Sequence, residues 1–179
     1  MANLETRHKV FVSFHHKLDE KWKIKFADKF SSILIPKWVN NNEINSELST
    51  DYIKRIIQED YISSSTITVV LIGNETYLRK HVDWEISASI SSKVGGRSGL
   101  LGLILPSRKD YSTKKYEPNT IPQRLYDNVK TEYAKIYNWT DKIEDMQIIL
   151  QEAFDRKNNK TLNTDNSLIQ YKNNRRKQN

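Results

Sequence analysis

The stretch Ser65-Thr-Ile-Thr-Val-Val-Leu-Ile-Gly-Asn-Glu-Thr-Tyr-Leu-Arg-Lys-His-Val-Asp-Trp-Glu-Ile86 decides how the rest of the chain is read. Its first half, Ile67 to Ile72, is a continuous apolar run rich in β-branched residues and closed by Gly73. Strands buried on both faces have that composition, and they sit in the middle of parallel sheets. The second half opens on the turn-forming pair Gly73-Asn74 and then becomes helical, with Val82, Ile86 and Ile90 spaced four apart. Between them lie Trp84 and Glu85, a carboxylate beside an aromatic ring on the helix that follows a central strand.

Working outward, Lys9-Val-Phe-Val-Ser-Phe14 reads as the first strand, with Ser13, Phe14, His15 and His16 in the loop at its carboxyl end. Leu18, Trp22, Phe26, Phe30 and Ile33 then recur at helical spacing and form one amphipathic stripe. Ile35-Pro-Lys-Trp-Val39 is a short second strand whose proline suits an edge. After the polar loop Asn40–Asn45, Ser49 or Thr50 can cap a helix carrying Ile53, Ile56, Ile57 and Tyr61. Gly95–Gly99 is a flexible turn before a fourth buried strand, Leu100–Leu105, which Pro106 stops. A polar loop over 106–120 and a helical turn in Ile121–Asp127 lead to an edge strand, Glu132–Tyr137. Ile143, Met146, Leu150 and Phe154 define the last helix. Strands alternating with helices predict an α/β domain. For five strands the economical arrangement is flavodoxin-like, a three-layer domain around a mainly parallel sheet of order 2-1-3-4-5.

That order makes a prediction about position. Ligands of such sheets bind at the carboxyl ends of the strands, where strands one and three diverge. The loops expected there are Ser13–His16, Trp38–Asn42 and Gly73–Lys80. Glu85 reaches this mouth only if its helix starts late, around Arg79 to His81. A helix beginning at Asn74 would carry Glu85 about 16 Å down the axis.

Composition narrows the function classes. The chain has 179 residues, enough for one domain with a sizeable core, and no cysteine, which excludes thiol catalysis and cysteine metal sites. No apolar run is long enough to span a bilayer, and the N-terminal residues carry no apolar signal segment, so the expected location is cytoplasmic. The net charge is +7, but seven basic residues and one acid, Asp165, lie from Arg156 onward, so that C-terminal segment holds +6 of it. The expected division is therefore a domain over 7–158 and a basic, disordered tail over 159–179, with no dedicated nucleic-acid role for the near-neutral body.

Other chemistries lack their residues. Gly95-Gly-Arg-Ser-Gly-Leu-Leu-Gly102 has no P-loop lysine and precedes a strand rather than a helix. The histidines His8, His15, His16 and His81 are too scattered to declare a metal site, so none is expected. Ser13 and His15 do not make a triad, and the first strand lacks the acidic cluster of a phospho-receiver. Trp22 reads as core, while Trp38 suits either edge packing or a crevice wall.

Three segments together resemble a known family: Lys9-Val-Phe-Val-Ser-Phe-His15, Ser65 to Thr76, and Arg79-Lys-His-Val-Asp-Trp-Glu-Ile86. They are similar to the TIR-like proteins of bacterial Thoeris antiphage systems and, in outline, to the wider TIR superfamily, over roughly residues 7–157. The resemblance implies a TIR-like domain in which a glutamate on the third helix, here Glu85, cleaves NAD. It implies release of nicotinamide and of an ADP-ribose-derived, often cyclic, messenger that activates a separate effector. NAD would be substrate, with no further cofactor. The substrate-binding candidates are Ser13, Phe14, His15, Trp38 and Trp84, with Arg79, Lys80 or His15 toward the pyrophosphate. Homo-oligomerisation stays open. The rival reading is a non-catalytic TIR-like scaffold that binds partners through its helices and loops.

Overall fold

The computed structural model describes residues 7–40, 43, 47–92 and 96–177. Most of the Asn40–Asn45 loop, part of the loop after Trp38, the Gly95 end of the glycine turn and the N-terminal segment fall outside these residues. Five parallel strands form one sheet: β1 His8–Ser13, β2 Leu34–Lys37, β3 Ile67–Ile72, β4 Gly99–Ile104 and β5 Ala134–Asn138, in the order 2-1-3-4-5. The expected topology is the observed one. Pro36 lies on the edge strand β2, as a residue without an amide hydrogen must.

The helices are α1 Glu20–Lys29, α2 Thr50–Ile56, α3 Lys80–Ile90, α4 Gln123–Lys130 and α5 Ile143–Asn158. Ser49 caps α2 by accepting the amide of Tyr52, and that helix continues as a wider π turn over Ile57–Ile62. Strand alternation assigns the two faces. Val69 and Leu71 pack with Phe26 and Phe30 of α1 and Leu150 of α5, whereas Val70 and Ile72 pack with Val82, Ile86 and Ile90 of α3 and Leu125 of α4. A third cluster sets Phe11 of β1 against Ile53, Ile57 and Trp84. Trp22 joins the core as read, but Leu18 lies before α1 and is exposed. Among the described residues no helix is long and apolar enough to cross a membrane.

The tail is the main departure. Expected to be disordered, residues 159–177 run back along the outer face of α3, from its carboxyl end to its amino end. Arg97 donates to the carbonyls of Leu162 and Asn159. Asn128 and Asp165 exchange two bonds, and Arg124 holds Asn166 and the Leu168 carbonyl. Asp83, Ser87 and Ser91, spaced four apart on the outer face of α3, then meet Tyr171, Gln170 and Asn166. This strap explains why every residue of α3 from Val82 to Ile90 is buried. Composition misleads here because the strap binds through side-chain amides, backbone and a few cations, with no apolar pattern to announce it.

Gly99 marks the tightest approach of helix to sheet. A Cβ there would stand 2.4 Å from the Ala153 carbonyl oxygen of α5, a backbone atom that cannot swing aside. Gly99→Ala should therefore destabilise the fold by about 1–3 kcal/mol in urea denaturation; an unchanged midpoint would contradict this packing.

Candidate functional site

Why α3 starts late can be traced to the loop after β3. The Gly73 amide donates to Thr76 Oγ1 at 2.8 Å, and Thr76 in turn faces the Leu71 carbonyl and Asp19 Oδ2. Arg108 donates to the Gly73 carbonyl at 3.2 Å from the far side. Asp19 lies so close to Gly73 that any Cβ there would fall 2.2 Å from its carboxylate oxygen. Pinned in this way, the chain makes one 3-10 turn, Thr76–Leu78, and extends at Arg79 (φ −91°, ψ 120°) before α3 begins at Lys80. Glu85 consequently sits only about 7–8 Å along its helix, in the second turn. The requirement set by the sequence is met.

Period two along β1 does the rest. Phe11 points to the α2–α3 side, so Ser13, two residues on, faces the same side. Its hydroxyl donates to Glu85 Oε2 at 2.5 Å, and both residues are buried, Glu85 at 1% exposure. One turn further along α3, Ser89 continues the polar stripe by bonding the Glu85 carbonyl and Thr68 Oγ1 of β3. Burial pushes the carboxyl group up to about 8, against the opposing effect of the Ser13 bond. At neutral pH it is mostly protonated.

A cleft of about 350 Å³ is lined by Phe14, His15, His16, Lys17, Arg79, His81 and Val82, the sequence neighbours of the pair, while Ser13 and Glu85 themselves do not line it. It lies between the loop after β1 and the first turn of α3. Phe14 and His16 stack with centroids 4.4 Å apart. Burial lowers His15 and His16 below the usual histidine value and takes His81 down to about 4, so the imidazoles are neutral at pH 7. Arg79 and Lys17 are then the cleft's cations. Three histidines that look scattered in sequence thus share one cavity, although among the described residues no group of three His, Cys, Asp or Glu is placed to hold a metal ion.

Two expected ring platforms stand elsewhere. Trp84 is buried in the Phe11 cluster, and its Nε1 donates to the Tyr171 carbonyl at 2.8 Å, so it faces the strap and not the cleft. Adjacent helix residues point about 100° apart, so a helix that aims Glu85 at Ser13 turns Trp84 away. Trp38 is half-buried, covered by the Lys23 ammonium 4.3 Å from its ring centre, and is absent from the cleft wall. Sequence reasoning missed Asp19, Thr76 and Arg108. Their role is to pin a loop, and only the three-dimensional approach of Asp19 to Gly73 reveals it.

The buried acid predicts a pH dependence of stability. In the unfolded chain Glu85 is ionised above about pH 4.5, whereas in the fold it keeps its proton to about pH 8, so the native state binds more protons in between. Its stabilising contribution is complete below the unfolded value and is lost as pH rises through the folded one. Asp19, raised to about 6, and the histidines, lowered in the fold from about 6.5, also exchange protons near the lower end of this range, but they do so equally in a protein whose Glu85 is replaced. From about pH 6.5 to 8 the wild type should therefore lose roughly 2 kcal/mol relative to Glu85→Gln in urea denaturation. The isosteric, uncharged Glu85→Gln should flatten that slope; equal slopes in the two proteins would contradict the assignment.

No curated protein matches the chain. The family model described as Thoeris protein ThsB, TIR-like domain, matches residues 11–110, a span that includes the end of β1 from Phe11, the pinned loop and the whole of α3. That match, over more than half of the sequence, suggests a role in antiphage defence and agrees with the sheet order, and the chain belongs to the TIR-like domain family of Thoeris protein ThsB.

Proposed function

We propose that this protein cleaves NAD at the bond between nicotinamide and ribose, with Glu85 as the working carboxylate, and releases an ADP-ribose-derived messenger for a separate Thoeris effector. The observation that carries the reading is the buried Ser13–Glu85 pair, beside a cleft lined by Phe14, which follows Ser13, and by Arg79, His81 and Val82 at the start of the helix that carries Glu85. A purely structural position would be served better by an apolar residue, since enclosing a carboxyl group with a single hydroxyl partner costs stability.

The chemistry asks little of the protein. Nicotinamide leaves as a neutral molecule, taking the electrons of the glycosidic bond, so no general acid is required. The ribosyl carbon passes through an oxocarbenium-like state, the electronic problem also met by glycosidases. An ionised Glu85 beside that carbon would stabilise the positive charge or hold the ribose hydroxyls. Phe14 offers a ring face, and Arg79 and Lys17 offer charge for the pyrophosphate. Water adding to the ribosyl carbon gives ADP-ribose and one proton; an internal hydroxyl of the adenosine half gives a cyclic isomer and one proton.

In the conformation described, Glu85 is uncharged and enclosed, and the cleft lies near the lower end of the range of about 300–1,000 Å³ for small-molecule sites. Turnover therefore requires the site to open and Glu85 to ionise. The enclosure also favours the competing reading, a TIR-like scaffold without catalysis. The pH profile separates the two. For NAD cleavage, kcat/KM should climb with pH toward an inflection near 8, about tenfold per unit on the acid side. Ser13→Ala removes the bond that favours the anion and should move the inflection further alkaline, with a several-fold loss at pH 7. A profile flat from pH 6 to about 9 would exclude Glu85 as the titrating group, and no nicotinamide at any pH would favour the scaffold.

A further inference from the structure

The strap does more than cover α3. Its last residues bond the segment that supplies Arg79, His81 and Val82 to one wall of the cleft. Arg79, at the N-cap position of α3, offers no side-chain cap. Asn174 supplies one from the strap, its Oδ1 accepting the Lys80 amide at 3.0 Å. The Arg175 amide donates to the Leu78 carbonyl at 2.8 Å, and Lys177 pairs with Glu75 at 2.7 Å. Tyr171 brackets the next turn, its amide on Asp83 Oδ2 and its carbonyl on Trp84 Nε1. The segment from Glu75 to Glu85 is thus held from inside by Thr76, Asp19 and Ser13, and from outside by the strap. Arg79, His81 and Val82, which form the cleft wall, lie between these two sets of contacts.

The strap is attached in a way that allows release. No described residue beyond Arg156 is buried, and every described residue from Lys172 onward is exposed. Ile169, an aliphatic residue within the distal half, is 83% exposed. The distal hold therefore consists of hydrogen bonds and one surface ion pair, groups that water can replace one at a time, with no apolar plug that must leave as a unit.

We propose that the distal strap, residues 169–177, is an autoinhibitory latch that keeps the Ser13–Glu85 site closed until it detaches from the start of α3. The consequence for turnover rests on the NAD reading above, whereas the closure itself can be read independently. The absence of cysteine from the sequence makes the measurement clean. Ser13→Cys places a single thiol on the enclosed pair, and its rate of alkylation by iodoacetamide reports access to the site. The double change Asn174→Ala and Lys177→Glu removes the trans cap and sets like charges at Glu75. In the full-length protein it should raise the alkylation rate at least tenfold while the far-UV circular dichroism stays native. The same double change with Ser13 intact should raise nicotinamide release several-fold.

An unchanged alkylation rate in the folded double variant would overturn the latch. Faster alkylation without nicotinamide from either protein would keep the latch and defeat the NAD reading. Should the double variant fail to fold, the reverse experiment decides. Glu75→Cys with Lys177→Cys, joined by a short cleavable bis-thiol linker, should lower hydrogen exchange at Arg79–Val82 and suppress nicotinamide release until the linker is cut. Exchange unaffected by the linker would overturn the proposal.

Discussion

A carboxyl group removed from water, with one serine hydroxyl for a partner, is the constraint around which this molecule is arranged. Glu85 can be placed there only because three separate requirements coincide. β1 must present Ser13 on the α3 side, which follows from the alternation that buries Phe11 in the cluster with Trp84. The chain after β3 must use up Gly73–Arg79 before helix begins, which the contacts among Gly73, Thr76, Asp19 and Arg108 enforce. Finally, α3 must be held down along its outer face, and the strap contributes bonds at Asp83, Ser87 and Ser91. Relaxing any of the three would let the acid reach water and ionise.

Electrostatics gives this arrangement its two-sided character. An enclosed neutral acid is compatible with a stable fold, since the protonated form carries no charge to desolvate. The same acid in its ionised form is what an oxocarbenium-like transition state would require. The buried Arg124–Asp83 pair on the neighbouring face shows the alternative solution, a carboxylate enclosed together with its counter-ion. Among the described residues Glu85 has no such counter-ion. That contrast between two acids two residues apart on one helix is the physical basis for assigning structure to Asp83 and chemistry to Glu85.

The architecture was legible because it depends on local pattern. Ile67–Ile72 was delimited by its apolar run and Gly73, Ser49 by its capping position, and the order 2-1-3-4-5 by the alternation of strand and helix. Of the candidate site residues, Phe14 and His15 line the cleft after β1 because they follow the end of a strand, whereas Ser13 and Glu85 are buried against each other and do not line it. Trp84 and Trp38 did not fall where the reading put them, since residue type says that a ring is large and apolar without saying which way it faces. The strap was misread for a related reason. Its contacts are long-range pairs such as Asn128 with Asp165 and Lys80 with Asn174, and a tail of Asn and Lys has the same composition whether it is docked or free. His81 illustrates the same limit, meeting the adjacent His15 and His16 in one cleft from a distant position in the chain.

The central claim is that Glu85 cleaves NAD, and comparison of wild type with Glu85→Gln tests it most directly. Gln keeps the side chain's size and its bond with Ser13 while removing the charge. Both proteins are incubated with NAD and the products are followed by mass spectrometry. The account predicts nicotinamide and an ADP-ribose-derived product from wild type, and a loss of at least a hundredfold in the variant, equivalent to about 2.7 kcal/mol of transition-state stabilisation. Equal turnover by the two proteins would contradict it.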